Sequence, residues 1–148
     1  WYQINTDTNT VPVGEFGYAY ESDDSDDFNP AVAGSAVGGT IANPIGQMFF
    51  TWSSTDVVNQ GAHQARVKGG GRQSADALDV VGGATFAEAT TFYDPSPDIV
   101  ERWGDYSAVT IDPSAAAGCV VGQRAWIVNE RQISSTLWGS RFGRLGFC

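Results

Sequence analysis

Two stretches of this chain repeat each other at a fixed distance. Ala31-Val32-Ala33 aligns with Ala108-Val109-Thr110 at an offset of 77 residues, and the same offset carries Phe49-Phe50-Thr51 onto Trp126-Ile127-Val128. Two consecutive strand-like segments and the connection between them therefore recur without a gap. A third pair, residues 64–67 and 141–144, follows within a residue or two. Such a repeat constrains the fold before any local detail does. The unit reads as a β-meander: a small-residue strand, an aromatic strand and an Arg-bearing strand. One such sheet cannot bury both of its faces alone. Stacking sheets radially around an axis, the propeller solution, removes that problem; a two-sheet sandwich is the alternative.

Local signals agree with an all-β chain. No segment of 11 or more residues carries apolar residues at helical spacing. Residues 84–91 hold some helix formers, diluted by Thr and Phe. Strand signals fall at 1–4, 15–20, 46–53 (GQMFFTWS), 62–68 (AHQARVK), 106–111 (YSAVTI), 124–128 (RAWIV) and 137–145 (LWGSRFGRL). Residues 21–27 (ESDDSDD) read as a charged loop, and Gly69-Gly70-Gly71 as a turn. Gly numbers 18 and aromatics make up 12% of the chain, a mixture suited to short strands and Gly-rich turns rather than to a disordered acidic tail.

Charge excludes whole classes of partner. Eight Lys+Arg against 17 Asp+Glu give a net charge of -9. A nucleic-acid binder needs a basic surface that displaces counterions from phosphates, and anionic membranes make the same demand. No apolar run approaches the roughly 18 residues of a membrane-spanning helix, so neither nucleic acid nor membrane insertion is expected. Lys68 is the lone lysine, which leans towards an extracellular or cell-surface protein. The chain opens at Trp1 without a signal-peptide pattern, as a processed or trimmed product would. Cys119 and Cys148 permit one intramolecular pairing. In an oxidising compartment the bridge would contribute about 3 kcal/mol and secure the C-terminus; two buried free thiols are the alternative.

The stretch Arg102-Trp103-Gly104-Asp105-Tyr106-Ser107-Ala108, followed by Asp112-Pro113, resembles a signature of secreted bacterial β-propellers of the sialidase-like superfamily. In those proteins R-W-G-D-Y-S and a nearby D-P precede an aromatic strand with an acidic end and a W-x-[ST]-R segment. Trp126 followed by Asn129-Glu130, and then Trp138-Gly139-Ser140-Arg141, occupy those places, and Cys119 and Cys148 also fit. The resemblance is clearest over 102–148 and fainter over 27–72. It implies one all-β segment over 1–148, a partial propeller of two to three four-stranded blades. Blade units are expected at 15–72 and 103–148, with 73–102 connecting them. Complete propellers of this kind have more blades. The remaining ones are expected from a longer chain or from other copies.

The candidate sites each have a functional and a structural reading. Arg102 and Asp105 suit a bidentate grip on an anionic or sugar substrate. With Tyr106 they equally suit fastening one blade to the next, and this is the favoured role. Trp103, Tyr106, Trp126 and Trp138 are expected to pack between blades. Glu130 ends an aromatic strand and suits a general acid, with Asp105 as the second carboxylate that glycoside chemistry requires. Asp23, Asp24, Asp26 and Asp27 could supply hard oxygen ligands for calcium, although the run lacks EF-hand order and a solvated acidic turn is the usual explanation of such a run; no other cofactor is expected.

Ser53-Ser54-Thr55-Asp56 does not continue as the Asp box of sialidases, and no sialidase catalytic role is transferred to any residue. His63, the single histidine, lacks a nucleophile-elbow context. The expected function is a secreted or cell-surface module with a non-catalytic binding, assembly or structural role. The alternative is part of a carbohydrate-active enzyme, hydrolase or lyase, whose site is completed by residues outside this chain.

Overall fold

The structure is a computed structural model that describes residues 1–12, 15–40, 45–56, 64–96, 103–116 and 118–148. Among these residues there are strands and no helix: β1 (Ala19–Tyr20), β2 (Ser25–Ser35), β3 (Gln47–Asp56), β4 (Arg66–Gln73), β5 (Val80–Val81), β6 (Ala84–Glu88), β7 (Ala108–Ile111), β8 (Arg124–Gln132) and β9 (Trp138–Gly146). They form a four-stranded antiparallel sheet in the order β2-β3-β4-β6, a three-stranded antiparallel sheet β7-β8-β9, and a short parallel pair β1-β5. None of the sheets closes on itself.

The repeat is kept to the residue in strand pairing. Ala31 faces Thr51 and Val32 faces Phe50 in the first sheet; Ala108 faces Val128 and Val109 faces Ile127 in the second. Both pairs are related by the same offset of 77 residues. The third strand departs from it. Phe50 pairs with Gly70, and its counterpart Ile127 pairs with Gly143. Residues 141–144 therefore correspond to 68–71 and not to 64–67, because the second unit has a connection four residues shorter.

Gly69-Gly70-Gly71, expected in a turn, lies inside β4. A Cβ on Gly70 would sit 2.6 Å from Val80, and one on Gly69 2.8 Å from Phe86; on Gly71 it would sit 2.8 Å from Phe147. Successive residues of a strand face opposite sides, so these contacts place close-packed layers against both faces of the first sheet. Side chains are missing from β4 because neighbouring layers approach its backbone.

On one face, Met48, Phe50 and Trp52 of β3 form a core with Val80, against which Trp1, Ala19 and Ile45 pack. On the other, Phe49, Thr51 and Ser53 are fully buried beneath the second sheet. Phe49 meets Phe147 with ring centroids 5.2 Å apart. Ala125, Ile127 and Asn129 are the buried residues that β8 turns inward. β3 is thus buried on both faces, which marks a sheet covered twice.

Other expectations shift. Residues 84–88, which carried diluted helix formers, form β6 and complete the first sheet, so the stretch 73–102 is more than a connector. The charged loop at 21–27 ends early, since β2 begins at Ser25. Lys68 is buried and bridges Glu21 at 2.5 Å while donating to Thr85 Oγ1 at 3.0 Å. Arg66 approaches the same Glu21 at 3.6 Å and Glu88 at 2.6 Å. The lone lysine is a tie between the turn after β1 and the first sheet.

Cys119 and Cys148 are joined, with Cα atoms 5.2 Å apart and a sequence separation of 29; the Cα distance is ordinary for a disulfide. Beside it, Arg124 pairs with Asp112 at 3.1 Å and donates to the Ser114 carbonyl at 2.8 Å. The backbone N–H of Ser114 donates to Asp112 Oδ1 at 2.9 Å. That bond, then Arg124 and Arg144, holds the Asp112 carboxyl below the usual carboxylate range against the opposing effect of burial.

Candidate functional site: the outward face of the second sheet

The second sheet covers the first with one face and leaves the other open. Register places Trp126 opposite Arg144, Val128 opposite Phe142, Glu130 opposite Ser140 and Gln132 opposite Trp138. Opposed residues share a face, so these residues belong to the outward side. Trp126 is 43% exposed, Trp138 55% and Phe142 67%. Arg144 lies over the Trp126 ring, 5.4 Å from its centroid.

Within the described residues these aromatics do not pack between sheets. Tyr106 is 79% exposed, and neither it nor Trp126 nor Trp138 is packed between sheets of this chain. Trp126, Phe142 and Trp138 stay exposed on this side, whereas Gln132 is buried and Glu130 half-buried. Trp103 is placed differently from these three. It is half-buried and meets Tyr93 edge to face, with centroids 5.1 Å apart. Its buried Nε1 has no hydrogen-bond partner among the described residues.

A groove runs along one end of the open face. Trp103, Gly104, Asp105, Tyr106, Glu130 and Trp138 line a hollow of about 200 Å³. A second hollow of about 260 Å³ adjoins it over Ala108, Val128 and Ser140, sharing Tyr106, Glu130 and Trp138 with the first. Asp105 and Glu130, the two carboxylates singled out from the sequence, therefore meet in one concave place. Arg102 lies outside the described residues, as does His63.

The loop that carries Asp105 is pinned by Glu130. Its Oε2 accepts from the Gly104 backbone N–H at 2.9 Å. Gly104 has φ +76° and a Cβ there would come 3.1 Å from Asn29 Cβ. Only glycine adopts that conformation cheaply in so tight a place. One residue of the loop thus touches β2 of the first sheet and β8 of the second. Arg66 and Arg141 are engaged elsewhere, Arg66 with Glu88 and Arg141 with the Phe86 carbonyl at 2.8 Å, and neither lines the groove.

Asn129 is the residue that sequence reasoning missed. It is 1% exposed and lies between the two sheets. Its Oδ1 accepts from Asn29 Nδ2 at 2.9 Å and from Ser53 Oγ at 3.3 Å, and its Nδ2 donates to Thr51 Oγ1 at 3.5 Å. The available signal was a carboxamide at an inward position of an otherwise apolar strand.

The acidic run shows local bonding. Asp27 accepts from Ser25 Oγ at 2.6 Å and from the Glu21 backbone N–H at 3.2 Å. Asp26 and Asp27 lie within β2 and so point to opposite faces, whereas Asp23 and Asp24 precede it. Among the described residues no three His, Cys, Asp or Glu gather as a metal would require, and no helix is long and apolar enough to cross a membrane. No protein-family description, curated protein or solved structure matches the chain.

Proposed function

We propose that this chain is a unit of a larger stack of β-meanders of the sialidase-like propeller type, secreted or at the cell surface, with a non-catalytic binding, assembly or structural role. One observation carries the reading. Trp126 and Val128 are the counterparts of Phe49 and Thr51 in pairing register. Phe49 and Thr51 are buried beneath a following sheet, whereas Trp126 is 43% exposed. The repeat thus presents at its open side the face that it covers internally. An exposed surface bearing Trp126, Trp138 and Phe142 is of the kind that marks a protein contact. The Cys119–Cys148 bridge suits an oxidising compartment.

The occupant of that face is the remaining blades of a longer chain or other copies of this one. Hydroxyl-radical footprinting of the protein isolated from its natural source tests this. Trp126 and Phe142 should be oxidised at least about tenfold more slowly than in the isolated 148-residue chain. Equal rates in the two samples would remove the reading.

A second reading, part of a carbohydrate-active enzyme completed by residues outside this chain, draws on the groove. Asp105 and Glu130 line it together with Trp138, and paired carboxylates beside aromatic rings suit glycoside chemistry. Glycan turnover by the natural protein that survives both Asp105→Asn and Glu130→Gln would dismiss it.

A further inference from the structure

We infer that the free edge of β9 is a dimerisation site, where β9 of a second copy of this chain pairs with it antiparallel about a two-fold axis at Phe142. The stacking reading above concerns the outward face of the second sheet. The edge is a different surface, and its pairing goes beyond that reading without resting on it.

The backbone shows where the edge is open. The Phe147 N–H donates to the Gln123 carbonyl across the seam between β8 and β9. In an antiparallel pair, positions bonded in this way alternate with unbonded ones. Arg141, Gly143 and Leu145 therefore turn their N–H and C=O groups towards β8. Trp138, Ser140, Phe142, Arg144 and Gly146 turn theirs away from it. β9 is the last strand of its sheet, and among the described residues no hydrogen bond reaches those outward groups. The first unit does not leave this edge open. Gly70 and Gly143 correspond in register, so 66–69 of β4 correspond to 139–142 of β9. In the first unit β6 pairs with Arg66, Val67, Lys68 and Gly69. The second unit has three strands where the first has four, and the bare edge is nine residues long. Long open edges invite another strand.

The sequence of β9 says which strand fits. It reads W-G-S-R-F-G-R-L-G, and it is complementary to its own reverse. Pairing centred on Phe142 uses the whole strand. It sets Trp138 opposite Gly146 of the second copy, Gly139 opposite Leu145, Ser140 opposite Arg144, Arg141 opposite Gly143, and Phe142 opposite Phe142. Each glycine meets a large side chain, which supplies the packing that a strand glycine lacks. An aromatic pair lies on the axis. Phe142 is 67% and Trp138 55% exposed, so both have surface to bury. The same centring makes the outward-turned residues meet one another, which gives about ten backbone hydrogen bonds. Centring one residue earlier would oppose Arg141 to Arg141, a like-charge pair. A fourth strand from any other source would not require this reversed complementarity; a second copy does. The net charge of -9 opposes the approach of two copies. The carboxylates responsible lie elsewhere, since β9 holds Arg141 and Arg144 and no acid. A two-fold contact occupies the edge of both copies and closes at the dimer.

The test uses the 148-residue chain. Sedimentation equilibrium from about 1 μM to about 1 mM protein should show monomer giving way to dimer and to nothing larger. Raising salt from about 50 to about 500 mM should tighten the dimer severalfold, because it screens the repulsion between the acidic bodies. Amide hydrogen exchange is then followed by NMR at both ends of the concentration range. The N–H groups of Ser140, Phe142 and Arg144 should slow at least about tenfold in the dimer. Those of Arg141 and Gly143, already bonded to β8, should slow less. Cysteine cross-linking reads the register. Phe142→Cys would meet its own copy at a Cα separation of about 5.5 Å and should form a covalent dimer. Ser140→Cys would lie about 13 Å along the strand from its own copy and should cross-link at least about tenfold more slowly. The exchange measurement needs no variant, so it decides the matter even if a cysteine variant folds poorly. A chain that stays monomeric at about 1 mM, a dimer whose Ser140, Phe142 and Arg144 amides exchange as in the monomer, or equal cross-linking of the two variants would overturn the inference. None of these outcomes alters the footprinting of Trp126 on the outward face, so the edge and the stacking fail separately.

Discussion

Asn29 Nδ2 donates to Asn129 Oδ1 across 2.9 Å of space and 100 residues of chain. The bond joins the two repeated units at a buried polar point, where Asn129 is 1% exposed. Asn29 reaches it from a β-bulge, with φ 52°, a left-handed conformation that Asn tolerates better than most residues. Backbone irregularity in one sheet is thus matched to a carboxamide in the other.

Replacing that carboxamide should cost more than one hydrogen bond. Asn129→Leu nearly keeps the volume but removes the acceptor shared by Asn29 and Ser53, while Thr51 keeps its bond to the Lys68 carbonyl. Unpaired buried polar groups are expensive, and we expect a loss of about 2–4 kcal/mol in urea unfolding. A loss below about 0.5 kcal/mol would mean that water satisfies these groups and that the network does not hold the sheets together.

This network was illegible in the sequence because its members lie 76 to 100 residues apart. What was legible had local causes. Residues 46–53 announced β3 through a dense apolar run, and the pairing of β2 with β3 and of β7 with β8 could be read from the repeat. β6 escaped because its composition suits helix as well as strand, and only pairing with β4 decides. Tyr106 and Trp138 stand out in the sequence as aromatics, but their exposure depends on which face the covering sheet leaves open. Asp105 and Glu130 were named as a pair, and their common groove follows from the Gly104 contact, which spacing does not encode.

The glycines of β4 make a second prediction. Gly70→Val adds a branched side chain where even a Cβ would lie 2.6 Å from Val80 and 3.5 Å from Trp52. Valine favours strands, so propensity alone predicts a gain. Overpacking opposes it and should win, with a net cost of about 1–3 kcal/mol. Thermal unfolding followed by tryptophan fluorescence will decide, since Trp52 lies in the affected core. An unchanged or raised Tm would mean that the N-terminal layer is not close-packed on the first sheet.

Loss of the Cys119–Cys148 bridge is the third case. It closes a stretch of 29 residues and fixes the last residue of the chain beside Arg124 and Arg144. Cys119→Ser with Cys148→Ser should lower stability by about 3 kcal/mol while preserving the sheet signal in circular dichroism. The difference should vanish when wild type is measured in excess reductant. Alkylation of both thiols in native, unreduced protein would contradict the pairing outright.

Acid should expose the role of Asp112. Its carboxyl titrates below the usual range, chiefly because the Ser114 N–H donates to it, with Arg124 and Arg144 adding to the effect. In the unfolded chain an Asp titrates at about 3.9. Between the folded and unfolded values the unfolded state binds more protons, so stability rises with pH there. The contribution of Asp112 is therefore complete above about pH 5 and disappears as the pH falls through the lower, folded value. Asp112→Asn keeps the shape of the side chain and removes the titration. Wild type should be the more stable at pH 7, and the two stabilities should converge on acidification as the carboxyl becomes neutral. Curves that stay parallel from neutral pH to about pH 2 would show that the Arg124 pair and the Ser114 bond do not favour the ionised form.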